Sequence, residues 1–274
     1  MSLRVLCAGA AGLLLLAGCR GDAARSGAAP PVVTIIADDD RFTAPDTVAA
    51  GLTTLHLVTR GKATHQVALA QIGDGHAFAE FLDSMRAPPP PPAWIRMAGG
   101  VNSPRAGGEA SVTLDLEPGR YALLCLDPDT AGLPHVVHGM YKELVVVRRD
   151  VPRAAEPRAT DTLTLTDDAI TASAPITAGA HTFLVVVRAE HPHELRFARL
   201  APGRSAGDLM RWLPHPGGPA PAELLGGVFG LRPDQRAFVT VEFTPGEYVL
   251  FCTLLRDDGT PYYAHGMVRQ VTVR

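Results

Sequence analysis

The chain has 274 residues, 46% of them apolar and 19% charged, with a formal net charge of −3. That supplies one large core or two ordinary ones and withholds the basic surface that nucleic acid demands, so no nucleic-acid partner is expected. The 24 prolines and 27 glycines favour many short strands and turns over long helices.

The chain opens on MSLRVLCAGAAGLLLLAGC, with one basic residue, Arg4, then an apolar run, then small residues. The run is too short for a stop-transfer helix, and residues 1–18 read as an export signal. The ending Leu16-Ala17-Gly18-Cys19 resembles a bacterial lipobox. That resemblance implies cleavage before Cys19 and lipidation there, with the chain bound to a membrane through its lipid and the folded part in water. Arg20 follows where an aspartate would retain the protein at the inner membrane. The implied location is the cell envelope, at the outer membrane, facing the periplasm or the cell surface. Residues 19–31 read as a tether.

Four cysteines occur. Cys7 falls in the signal and Cys19 takes the lipid, which leaves Cys125 and Cys252. Exported cysteines usually pair. These two are therefore buried and inert, bound to something, or bridged to one another.

The remainder is a tandem repeat. RFTAPDTVAAGLTTLHLVTRGKATHQVAL at 41–69 lies without a gap over AITASAPITAGAHTFLVVVRAEHPHELRF at 169–197, with Gly51 on Gly179 and His65 on His193. One deletion later the offset drops from 128 to 127. Then GGV at 99 meets GGV at 226, PGRYALLC at 118 meets PGEYVLFC at 245, and HGM at 138 meets HGM at 265. Ordered matches along a whole half mark a duplicated domain. The units are residues 32–148 and 161–274, with the polar, proline-bearing stretch 149–160 as linker. The two halves are expected to form separate sheet systems.

In chain order, VVTIIA, TTLHLVT, HQVALAQI, ASVTLDL, RYALLCL and KELVVVR are β-branched or alternate with period two, and read as strands. RYALLCL is apolar on both faces, which suits a central strand. The Pro-Gly turn before it sets Tyr121 where Greek-key sandwiches carry a corner tyrosine. HAFAEFLDSM and AGDLMRWL are the only helix candidates, and the prolines at 88–92 read as a stiff spacer. The fold class is all-β: two tandem Greek-key sandwiches, each with one short helix in a long crossover.

Three features together resemble the cupredoxin, or blue-copper, family: a histidine after an early strand, a cysteine ending a late one, and PHVVHGM at 134–140 leading into the last. His135 and Met140 have the His-x4-Met spacing, and both GMYKELVVV and GMVRQVTV show the Gly-Met-plus-strand ending. The resemblance spans nearly all of both repeats. It implies copper as cofactor, held in the first half by His65, Cys125, His135 and Met140. Thiolate and imidazole with a weak thioether suit copper that cycles between oxidation states. In the second half it implies His193, Cys252, His265 and Met267, but Tyr262 stands where His135 aligns. His138 is an alternate ligand, because it points with Met140 if that stretch is extended. The loop of nine residues between Cys125 and His135 is longer than carriers of this family usually have.

Each residue also has a plain structural use. Cys125 and Cys252 suit apolar strands, His65 and His193 could cap loops, and His56, His76, His181 and His215 read as solvated. The acids of ADDDRF read as turn residues. The neighbours of the cysteines, Leu124, Leu126, Phe251 and Thr253, are not the histidines that oxidases of this layout use for further copper. With no Gly-x-Ser-x-Gly, Walker loop or His-Glu-x-x-His either, the chain is expected not to be an enzyme. Two functions remain. One is a lipid-anchored copper protein for electron transfer or copper handling, working with a redox or copper-transfer partner. The other is a metal-free binding or structural module of the envelope.

Overall fold

A computed structural model describes residues 27–85, 91–150 and 152–274. The signal segment, Cys19, most of the tether and residues 86–90, which take in the first three prolines of the spacer, lie outside the described residues. Among the described residues, no helix is long and apolar enough to cross a membrane.

The first half runs β1 (Val32–Ala37), β2 (Phe42–Thr43), β3 (Thr47–Ala49), β4 (Gly51–Thr59), β5 (Val67–Ile72), α1 (Phe78–Ser84), β6 (Ile95–Val101), β7 (Glu109–Leu116), β8 (Gly119–Leu124) and β9 (Tyr141–Val147). The second repeats it as β10 (Asp161–Leu165), β11 (Ile170–Ala172), β12 (Gly179–Val187), β13 (His193–Leu200), α2 (Ala206–Trp212), β14 (Ala222–Leu231), β15 (Arg236–Phe243), β16 (Gly246–Phe251) and β17 (Val268–Val273). Both helices fall in the expected crossovers.

The strands form two large sheets, ordered β11-β10-β12-β15-β7-β4-β1-β2 and β17-β16-β13-β14-β6-β5-β8-β9-β3. Side chains alternate as the sequence demands. On β8, Tyr121 and Leu123 face the core between the sheets, and so does Cys125 just past its end. Ala122 and Leu124 face outward, under Phe81 of α1. Leu209 of α2 covers Val249 and Phe251 in the same way. The corner tyrosines are present twice: Tyr121 Oη donates to the Glu117 carbonyl at 2.8 Å and Tyr248 Oη to that of Thr244 at 2.9 Å.

The expected separation of the two halves is corrected. They share both sheets, and one core cluster takes residues from each. β7 pairs antiparallel with β15 and β6 with β14. The physical reason lies at the sheet edges, where unpaired N–H and C=O groups need partners. Val112 pairs with Val239 and Val101 with Val228. Both pairs are 127 apart (239 − 112 and 228 − 101), which is the repeat offset. Each strand therefore meets its own duplicate about a pseudo-two-fold axis, as two copies meet in an isologous dimer.

Candidate metal centre

His65 closes the loop before β5 and is fully buried. Asp39, in the turn after β1, orients it. Its Oδ1 accepts from the backbone N–H groups of Lys62 and Ala63 at 3.0 and 3.2 Å and from His65 Nε2 at 3.4 Å. Those backbone bonds, Ala63 first, hold the Asp39 carboxyl below its usual range. Burial holds the His65 imidazole below its ordinary pKa, so at neutral pH it is uncharged. With Nε2–H given to Asp39, Nδ1 keeps its lone pair, and second-layer carboxylates fix ligand histidines in this manner.

That lone pair faces Cys125, whose Sγ lies 3.7 Å from His65 Nδ1 and 3.4 Å from His135 Nδ1. All three donor atoms lie within 4.8 Å of one another. Metal–nitrogen and metal–sulfur bonds of about 2.0–2.3 Å at trigonal angles put N and S roughly 3.6 Å apart. The spacing of these donors therefore fits a copper ion without rearrangement. Burial, with the Asp127 carboxylate adding, pushes the Cys125 thiol up to about 12, so the metal-free thiol is protonated at neutral pH.

The loop is built by backbone bonds. Cys125 N donates to the Met140 carbonyl at 3.2 Å, Val136 N to that of Cys125 at 2.8 Å, His135 N to that of Asp127 at 3.0 Å, and Met140 N to that of His135 at 3.2 Å. Cys125, His135 and Met140 are thus tied together, and all three are buried. The segment His135–His138 is a 3-10 turn ended by Gly139 in the left-handed region. That corrects the alternate ligand. The stretch is not extended, and His138 is exposed, with Nε2 2.9 Å from Asp129 Oδ2.

The second half copies this scaffold. Cys252 N donates to the Met267 carbonyl at 3.1 Å, Tyr263 N to that of Cys252 at 3.0 Å and Met267 N to that of Tyr262 at 3.2 Å. Asp167 Oδ1 lies 3.0 Å from His193 Nε2, as Asp39 does from His65. The donors differ. Tyr262 is buried edge-on against the His193 ring, centroids 4.5 Å apart, and His193 Nδ1 is buried without a partner. His265 does not join His193, Cys252 and Met267. It is exposed and bonds Thr260 Oγ1 at 2.7 Å. Cys125 and Cys252 are both free thiols, which removes the bridged alternative. His181, expected to be solvated, is buried, held by Asp161 at 3.1 Å and stacked on Phe183.

Sequence reasoning missed a polar cluster at the join. Arg196 of β13 reaches into the first half. Its Nη2 lies 3.0 Å from Gln66 Oε1 and 3.8 Å from Asp127 Oδ1, and its Nε 3.2 Å from Glu194 Oε1. Glu194 is fully buried and also accepts from Asn102 Nδ2 at 3.1 Å and Thr253 N at 2.7 Å.

No family model and no curated protein matches the chain. Solved structures do. A dithionite-reduced auracyanin from Roseiflexus castenholzii is 22% identical over 44% of this chain and 99% of its own, with a TM-score of 0.30. A multicopper oxidase is 13% identical over 89% of this chain and 88% of its own, at 0.27. A copper nitrite reductase from Nitrosomonas europaea is 12% identical over 90% of this chain and 94% of its own, at 0.26. These findings correct the expectation that the chain is not an enzyme. Oxidases and reductases are among the structures matched over nearly its whole length, and the fold is shared by enzymes and carriers alike. The chain has a cupredoxin-like fold in tandem, with a His-Cys-His set that suits copper.

Proposed function

We propose that the first half holds one copper ion through His65 Nδ1, Cys125 Sγ and His135 Nδ1, with the Met140 thioether as the weak axial group, and that it passes single electrons outside the cytoplasm. The observation that carries this reading is the approach of three buried soft and borderline donors to within 4.8 Å. A bound copper would supply the one-electron couple, and the chain's part is to hold the donors still. Backbone bonds and Asp39 pre-set their geometry, so little need move when the charge changes.

Electron transfer is favoured over copper delivery by the surface beside the site. His135 is 9% exposed, while its loop neighbours Leu133 and Val137 are 47% and 65% exposed. An apolar rim around a ligand edge suits brief docking of a redox protein. Lipidation at Cys19 and a place at the outer membrane belong to this reading and rest on the sequence alone. The test is copper titration of the soluble chain. An intense visible band at one equivalent, lost in Cys125→Ser, is the expected result. No band, with copper bound only weakly, would leave a metal-free envelope module as the function.

A further inference from the structure

The cluster at the join meets the two segments that carry His65 and Cys125. Two residues flank the donor set, Gln66 and Asp127, and the Asp127 carbonyl accepts from His135 N at 3.0 Å. They are the residue after His65 and the second residue after Cys125. The side chains of the same two residues are the ones Arg196 meets, at 3.0 and 3.8 Å. Asp127 is further fixed by Ser103 Oγ. One guanidinium from the second half therefore grips both segments that follow the first half's His65 and Cys125.

The grip is one-sided. By the repeat offset of 128, Arg196 aligns with Ala68, so the first half has no matching cation to lend (196 − 128 = 68). Its side chain is 13% exposed and Asp127's is 7%. Charges so placed interact far more strongly than they would in water. Glu194 neutralises the other side of the guanidinium and accepts from Thr253 of the second half and Asn102 of the first.

We propose that Arg196 is a positioning residue for the first half's metal site, acting across the join: it fixes the Gln66 and Asp127 segments against Cys125 and biases a bound redox ion toward its reduced state. The second clause rests on the function proposed above; the first does not. The logic of the bias is electrostatic. Reduction removes one positive charge from the site, so a nearby cation favours the reduced form and a nearby carboxylate the oxidised form. Hydrogen bonding around a copper-bound cysteine sulfur tunes potential in the same sense.

The experiment uses the full chain in two states. In the copper-loaded chain, the midpoint potential is measured for wild type, Arg196→Gln/Glu194→Gln and Asp127→Asn. The double variant removes the cation without stranding the buried Glu194 charge. Arg196→Gln/Glu194→Gln should fall in potential, because Arg196 reaches Asp127 on the Cys125 side while Glu194 lies against Thr253, so the loss of the cation outweighs that of the carboxylate; Asp127→Asn should rise. A merely structural role would not give shifts of opposite sign, and equal or same-direction shifts overturn the bias. In the metal-free chain, amide hydrogen exchange is followed in wild type and Arg196→Lys, which keeps the charge and loses the fork. Exchange should quicken at Gln66 and Asp127 and stay unchanged at Leu254, the position equivalent to Asp127 in the second half. Unchanged exchange at Gln66 and Asp127 overturns the positioning role, whether or not copper binds. If wild type gives no copper band, the function proposed above and the redox bias both fail, and the exchange result alone decides the clamp.

Discussion

Gly100→Ala should be far more damaging than Gly51→Ala, although both glycines have positive φ, +151° and +111°. A methyl at Gly51 meets nothing within 4 Å. Its cost is backbone strain of about 1–3 kcal/mol, offset by about 0.4–1 kcal/mol from the stiffer unfolded chain, so a net loss of about 1–2 kcal/mol. A methyl at Gly100 would sit 1.9 Å from the Val67 carbonyl oxygen and 3.1 Å from Ala68 Cα. Those are backbone atoms of the neighbouring strand and cannot swing away. Relief means parting β5 from β6 by more than an ångström, at the bulge where their register shifts. Adding overpacking and a weakened pair of ladder bonds brings the loss to roughly 4 kcal/mol or more. The moved segment carries Gln66 and His65, so copper uptake should fail with it. Urea unfolding and copper titration of the two variants provide the assay. Equal, small losses with normal copper uptake in both would refute the argument that the paired glycines exist to admit a close backbone approach at the site.

Two further outcomes follow from the second half. Tyr262→His should let the chain bind a second equivalent of copper, because the loop bonds are already copied and His193 Nδ1 stands buried and unpartnered; a stoichiometry unchanged from wild type would mean that the tyrosine is not what separates the halves. Burial also holds His193 and His65 below their ordinary pKa of 6.5, so the unfolded chain takes up protons that the folded chain refuses. Stability of the metal-free chain should be level above that value and fall as the pH drops through it, while the lowered carboxylates Asp39 and Asp167 add their loss only at more acid pH. A melting temperature flat from pH 7 to pH 5 would contradict this.

What could be read from the sequence was local or repeated. RYALLCL is apolar on both faces because β8 lies between the core and α1, and period-two alternation carries that information in seven residues. His135 was legible through its spacing from Met140. His138 was harder to assign, since its role depended on whether the loop is extended, and only the 3-10 turn decides that. Asp39 lay unnoticed in ADDDRF because an aspartate in a turn has a sufficient use there; its bond to His65 spans 26 residues and leaves no local mark. Arg196 alternates along β13 as any solvent-facing strand residue would, with nothing to say that another strand covers it. The join itself was hidden for the same reason, since alternation states which face of a strand is buried and is silent about what lies along its edge.

The two halves differ in side chains far more than in backbone, and the difference has a direction. Each keeps the cysteine, the carboxylate-oriented histidine and the methionine, and each ties its loop with the same bonds. The first alone has a second imidazole at its thiol; the second alone has Arg196 and Glu194 at the join. A buried ion pair is a poor device for stability, since apolar residues of similar volume usually serve as well or better. At this join apolar packing was available, because the same strands already pair valine with valine at Val112–Val239 and Val101–Val228. The charged cluster sits where the segments after His65 and Cys125 meet β13; Arg196 reaches those two segments, and Glu194 reaches Asn102 just past β6. A device for strand register alone would do equally well anywhere along β6 and β14. The reach of Arg196 to the segments that carry His65 and Cys125 is what ties the retained half, which lacks the full donor set, to the half that has it.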